Sequence, residues 1–212
     1  MGKYQKGILG GFQGTVGTVV GSSWKGIDYM KSKSRRSKKA PTPAQLEQQV
    51  KFTLLARFVS SIGSLLMTSF KDSAIEMTGT NSAFKYNFDH AITGSYPAFA
   101  LDYSQVLVSK GQLLSASNPV AVAAGSGQVK MTWDDNSGTA MANAGDKCIA
   151  VVYCPELKRA VYTTAGNARS TGVFTLDAGI FTGKTVETWL AFISADGADV
   201  ATSVYTGQLA VS

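Results

Sequence analysis

The sequence is short of the residues that carry most enzyme chemistry. It has one histidine, His90, and two cysteines, Cys148 and Cys154. Any Cys–His couple or histidine metal site would depend on His90 alone. A lone histidine beside Asp89 in a helical stretch reads as a surface or capping group. Two cysteines fall short of a structural zinc set. They cannot pair with each other either: Ile149 to Tyr153 between them read as one strand. That sets their Cα atoms roughly 20 Å apart, against the ~7 Å limit of a disulfide. Their even spacing places both on one face, as small buried hydrophobes.

Charge is scarce as well, at 16% of residues against about a quarter in ordinary soluble domains. Either a partner covers part of the surface, or Ser, Thr and Gly coat it. Long apolar runs are missing, and no segment approaches the ~20 apolar residues of a membrane span. The start carries no secretory pattern. Lys3 and Lys6 precede an apolar stretch broken by Gly10, Gly11, Gly14 and Gly17, and no Ala-x-Ala site follows. Cytoplasmic synthesis is the expectation.

What is present is unevenly placed. The net charge is +6, and Lys31, Lys33, Arg35, Arg36, Lys38 and Lys39 lie within nine residues without an acidic neighbour. The basic character therefore belongs to a local tract. Alternating with serine, this tract suits salt-dependent, sequence-independent contact with nucleic acid, with Phe12, Trp24 and Tyr29 near enough to stack on bases. The alternatives are an acidic patch on a neighbouring subunit or a solvated linker. Ahead of the tract, residues 1 to 30 hold eight of the 22 glycines, interleaved with Ile8, Phe12, Val16, Val19, Val20, Trp24, Ile27 and Tyr29. Thr15 to Ser23 and Trp24 to Lys31 could pair as a hairpin. Glycine weakens an isolated sheet, so this arm is expected to order by packing on its own domain or on a neighbour.

Helix signals follow. Thr42 as N-cap, Pro43 at the first helical position and Gln45 form a capping box. Leu46, Val50, Leu54, Phe58, Ile62 and Leu65 then recur three or four residues apart. The helix should reach about Ser60 and kink or end at Gly63. A second is predicted from Asn81 to Ile92, capped by Thr80, with Gly94 just past its end. From Ala98 the period changes to two. Strands are predicted at Val120–Ala123, Gln128–Trp133, Lys147–Cys154, Ala160–Thr164, Gly172–Leu176, Val186–Ser194 and Val200–Tyr205. Seven short strands separated by Gly, Asp and Asn turns indicate a β-sandwich. Trp133 on an early strand and Trp189 in a late hairpin favour the fibronectin type III variant, and the missing inter-sheet disulfide disfavours an antibody-type domain.

Two motifs resemble sites. Ala178 to Thr185 fits a relaxed phosphate-loop pattern, but that chemistry needs a helix after the loop. Val186 to Ser194 read as a strand, so the segment is expected to be a turn. Asp134, Asp135, Asn136 and Gly138 could loosely hold Ca²⁺, yet their spacing departs from the calcium-loop pattern, and a turn is again the reading.

Three segments carry a resemblance over the whole chain. They are Gly10-Gly11-Phe12-x-Gly14-x-Val16-Gly17-x-Val19-Val20-Gly21-x-x-Trp24-Lys25-Gly26, Ala91-Ile92-Thr93-Gly94-x-Tyr96-Pro97, and Val151-Val152-Tyr153-Cys154-Pro155. With these the chain resembles a protein family found widely in Bacteroidetes genomes and their phages. That family has no assigned activity, so the resemblance implies a two-part architecture and no catalytic residue.

The expectation is an α+β chain. A Gly-rich β arm, basic tract and two helices fill residues 1–114, and an immunoglobulin-like, fibronectin type III-like β-sandwich fills residues 115–212 and folds alone. No catalytic residue, cofactor or metal site is expected. The expected role is non-enzymatic and structural, as a subunit of a phage or prophage virion, with Phe12, Val19, Val20, Trp24 and Tyr29 as the assembly arm. The partners would be protein subunits, in a homo-oligomer or hetero-assembly. The alternatives are a cell-surface or envelope adhesion module, disfavoured by the missing secretory pattern, and a basic nucleic-acid-binding protein.

Overall fold

The computed structural model describes residues 2–4, 10–24, 26–35 and 39–212. They fall into two compact units, Met1–Thr42 and Pro43–Ser212. The first is one antiparallel sheet of β1 (Lys3–Tyr4), β2 (Phe12–Val16), β3 (Val19–Trp24) and β4 (Ile27–Ser32), in chain order. The hairpin expected between residues 15–23 and 24–31 is replaced by a meander. Val16 pairs with Val19 around Gly17-Thr18, and Trp24 pairs with Ile27. Gly17, at φ +57°, supplies the left-handed backbone that a two-residue hairpin turn requires at its first position. This cuts the expected first strand in two.

The second unit opens with α1 (Pro43–Ser61) and α2 (Gly63–Ser69), which meet at a bend of 82°. Pro43 starts the first helix as predicted, and at Gly63, where a kink or an end was expected, a second helix begins. No single helix among the described residues is long and apolar enough to cross a membrane. The apolar stripe is used inside the protein, with Leu55, Phe58, Val59, Ile62, Leu65 and Leu66 buried. The third helix, α3 (Gly79–His90), starts earlier than predicted. Its cap is Thr78, whose side chain accepts from the Asn81 N–H at 3.2 Å. The Thr80 hydroxyl donates instead to the Gly63 carbonyl at 3.3 Å. Past Ala91, β5 (Ile92–Ser95) and β6 (Ala98–Leu101) form a hairpin, so Ile92 and Gly94 belong to a strand.

Seven strands follow: β7 (Ser117–Gly125), β8 (Gln128–Asp134), β9 (Lys147–Cys154), β10 (Arg159–Thr163), β11 (Val173–Asp177), β12 (Thr185–Ile193) and β13 (Val204–Ala210). They make two antiparallel sheets, β11-β8-β7 and β10-β9-β12-β13. Six strands lie close to their predicted positions. The last is shifted: Val200 and Ala201 make only isolated bridges to Ile193 and Leu113, and the ladder with β12 begins at Val204.

Alternation explains how these sheets pack. Cys148, Ala150, Val152 and Cys154 share a core with Val129, Met131 and Trp133 of the three-stranded sheet, and with Val186, Leu190 and Phe192. Both thiols are free and buried on that one face, and burial pushes Cys148 up to about 12. The opposite face of the same strands carries Ile149, Val151, Tyr153, Trp189, Ala191 and Ile193, in one cluster with Leu55, Phe58, Val59, Ile62, Leu65, Leu66 and Phe70. Phe58 meets Tyr153 edge-on at 4.9 Å between ring centres and Trp189 at 5.9 Å. The Trp189 indole donates to the Val106 carbonyl at 3.1 Å. The expected division at residues 114 and 115 is therefore corrected. Helices and sheets share a core, because β9 and β12 are apolar on both faces and the second sheet covers only one.

One ion pair, Arg169 with Asp146, lies wholly inside this unit. Arg169 donates from Nε to Asp146 Oδ2 (3.1 Å), from Nη1 to Asn136 Oδ1 (2.7 Å) and from Nη2 to the Leu114 carbonyl (3.0 Å). Its guanidinium lies 3.9 Å from the centre of the Phe192 ring, and its carbonyl accepts from the Trp133 indole at 2.7 Å. One side chain thus ties together loops from four parts of the chain. Breaking a buried pair by removing one partner strands the other charge. Arg169→Ala should cost about 3–5 kcal/mol in urea unfolding, and Arg169→Lys most of that, because a lysine has no planar fork. A loss below about 1 kcal/mol would show that the network is dispensable.

Candidate assembly surface

The N-terminal sheet is built unlike the rest of the protein. Among its side chains that the structure describes, no hydrophobic one is buried; the buried residue is Gly21. A Cβ there would stand 2.0 Å from the Phe12 carbonyl oxygen, so glycine is required where β2 crosses. The pairing register sorts the remaining side chains onto two faces. Phe12, Val16, Val19, Asp28 and Met30 lie on one. Thr15, Val20, Ser22, Trp24, Ile27, Tyr29 and Lys31 lie on the other.

Of the five side chains expected to form an assembly arm, Phe12 and Val19 thus sit on one face, and Val20, Trp24 and Tyr29 on the other. Phe12 and Val20 are half-buried; the other three are exposed. Ile27 and Met30, outside that set of five, are the most exposed apolar residues of the sheet among those described, at 70% and 71%. With the turn fixed at Gly26, the period of two along β4 puts Ile27 beside Tyr29 on one face and Met30 beside Asp28 on the other.

The basic tract begins on this sheet. Lys31 is the penultimate residue of β4, with its Nζ 5.9 Å from the centre of the Tyr29 ring. The Lys33 N–H donates to the Thr18 carbonyl at 2.8 Å, and a shallow cleft is lined by Gly17, Thr18, Ser32, Lys33, Ser34 and Arg35. Lys39 is exposed; Arg36 and Lys38 lie outside the described residues. Charge follows the division into units. Nine of the 20 basic residues but only Asp28 of the 14 acidic ones fall in residues 1–42, giving +8 there and −2 over residues 43–212.

The residues considered for chemistry belong to the larger unit and do not gather into one site. Ala178 to Lys184 contains a tight turn and leads into strand β12, not a helix. Lys184 pairs with Glu156 at 2.5 Å. His90 ends α3, its ring stacked on Tyr86 and its Nδ1 at 2.7 Å from the Tyr86 carbonyl. Asp134 accepts from the Asn118 amide at 2.7 Å. Asp135 accepts from the Ser137 N–H at 2.9 Å, which holds its carboxyl below the usual range, while Asn136 turns inward to Arg169. These three residues diverge. Among the described residues no three His, Cys, Asp or Glu side chains gather as a metal ion requires.

The chain belongs to DUF6266, a family of unknown function, which it matches over residues 11–207. Most of the N-terminal sheet and nearly all of the larger unit lie within that one match. No curated protein matches the sequence. Among solved structures, the fibronectin type III domain of the human collagen alpha-1(XX) chain is similar over 49% of this chain and 89% of that one, with 12% identity and a TM-score of 0.34.

Proposed function

We propose that this protein is a non-enzymatic structural subunit of a multi-subunit assembly, a virion component of a phage or prophage, and that its N-terminal sheet is the assembly element. One observation carries the reading: a four-stranded sheet with apolar side chains on both faces and none of those described buried. Sheets are stable when one face packs on a second layer. An exposed apolar surface of this kind marks an interaction site. The larger unit supports the reading as a rigid body to be carried. We take its seven strands as a fibronectin type III-like sandwich. The orders β11-β8-β7 and β10-β9-β12-β13 correspond to E-B-A and C′-C-F-G in the lettering used for immunoglobulin-like folds.

Point changes on the Phe12 face test this. Val16 and Met30 are exposed, so Val16→Asp with Met30→Asp should leave the melting temperature of the larger unit unchanged while placing two charges in the contact. Sedimentation of the full chain should show an oligomer or particle, and the double variant should run as a monomer. A wild type that stays monomeric at high concentration, or a variant that assembles as before, would sink the proposal.

A further inference from the structure

We propose that the other face of the N-terminal sheet, bearing Trp24, Tyr29 and Lys31, binds single-stranded nucleic acid. This does not depend on the assembly reading, which uses the opposite face. Trp24 and Tyr29 are exposed at 52% and 42%. They are diagonal neighbours across β3 and β4, because Trp24 pairs with Ile27, two residues before Tyr29. Diagonal neighbours stand roughly 7–8 Å apart, enough for each ring to take a base of its own. Lys31 reaches over the Tyr29 ring, and Lys33 and Arg35 line the cleft that continues from the same strand end.

Asp28, the sole carboxylate of residues 1–42, points to the other face. The aromatic face therefore presents cations and flat rings with no repelling charge. That combination, a positive track beside stacking platforms, is how proteins hold single strands without reading sequence. An acidic protein surface would use the lysines but leave the rings without a role. A duplex keeps its bases stacked inside, out of reach of rings lying on a sheet.

The test uses the full chain and a 20-nucleotide oligothymidylate at low salt. Trp24 is exposed whereas Trp133 and Trp189 are buried, so stacking should quench the long-wavelength part of the emission and leave the rest. Lys31, Lys33 and Arg35 changed together to Gln should flatten the slope of log K against log salt by about 2, at ~0.7 per phosphate contact on a single strand. Trp24→Ala with Tyr29→Ala should weaken binding at least about tenfold at an unchanged slope, and Trp24→Phe should retain it. The Val16→Asp, Met30→Asp protein should bind as the wild type does, so loss of assembly and loss of binding are told apart. No binding at low salt overturns the proposal. So does binding indifferent to the two rings, equal affinity for duplex DNA, or equal affinity for polyglutamate.

Discussion

A chain cut to residues 115–212 is expected to remain largely unfolded, whereas one cut to residues 43–212 folds. All seven strands β7 to β13 are present in the shorter fragment, which makes this the sharper test of how the protein is held together. Its four-stranded sheet would turn Ile149, Val151, Tyr153 and Trp189 to water on the face that α1 and α2 cover. Burial of each is worth ~1.5–3 kcal/mol, so about 6–12 kcal/mol is lost, against a typical total stability of 5–15 kcal/mol. Polar losses add to this. The Trp189 indole loses the Val106 carbonyl, and Ser203 Oγ loses the Val108 and Ser109 N–H groups. Urea titration followed by tryptophan emission decides the matter. The longer fragment should give one cooperative transition from a blue-shifted state, and the shorter one a red-shifted spectrum with no transition. A cooperative transition in the shorter fragment would mean that the inner core of Trp133, Val152, Leu190 and Phe192 suffices without the helices.

The same strands show how much of this could be read from residues alone. Existence and position of β8, β9 and β12 were legible, because turn residues bracket them and their apolar content is high. Their environment was harder to read. Cys148 to Cys154 and Val186 to Ile193 are nearly continuous apolar runs, the pattern of strands buried on both faces, and a two-sheet sandwich covers only one. That surplus apolarity was the available sign that α1 and α2 must close the second face. The misplaced last strand has a local cause. Val200 and Ala201 are as apolar as strand residues because they are buried bridging segments, while β13 is interrupted by a register shift opposite Thr188. Arg169 was illegible. It opens a single short turn, and its side-chain hydrogen-bond partners Leu114, Asn136 and Asp146 come from three separate loops that only the finished fold brings together. On the N-terminal sheet the apolar residues were legible, but their division between two faces was not. Placing the turns at Gly17 and Gly26 sets which residues share a face, and an error of one residue inverts every assignment.

Removing residues 1–42 should abolish assembly and leave the remaining unit as stable as before. Among the described residues the sheet has three exposed apolar side chains on each face, Val16, Val19 and Met30 on one and Trp24, Ile27 and Tyr29 on the other. At ~1.5–3 kcal/mol each, one face contributes about 5–9 kcal/mol when fully covered, while fixing two bodies together costs an estimated 4–15 kcal/mol. One such contact alone is therefore close to break-even. It becomes durable when repeated around a ring or lattice, where each copy is held at high effective concentration by its neighbours. This predicts a concentration threshold in the full chain: monomers when dilute, then large species without much dimer between. The truncated chain, which also changes from a net charge of +6 to −2, should show monomer throughout and a melting curve within about 1 kcal/mol of the parent. Sedimentation velocity across a concentration series, paired with thermal unfolding, reads both quantities. If the truncated chain assembles at the parent's threshold, the contacts lie on the larger unit. If truncation lowers its stability by several kcal/mol, the sheet is part of that unit's own core and not an assembly element.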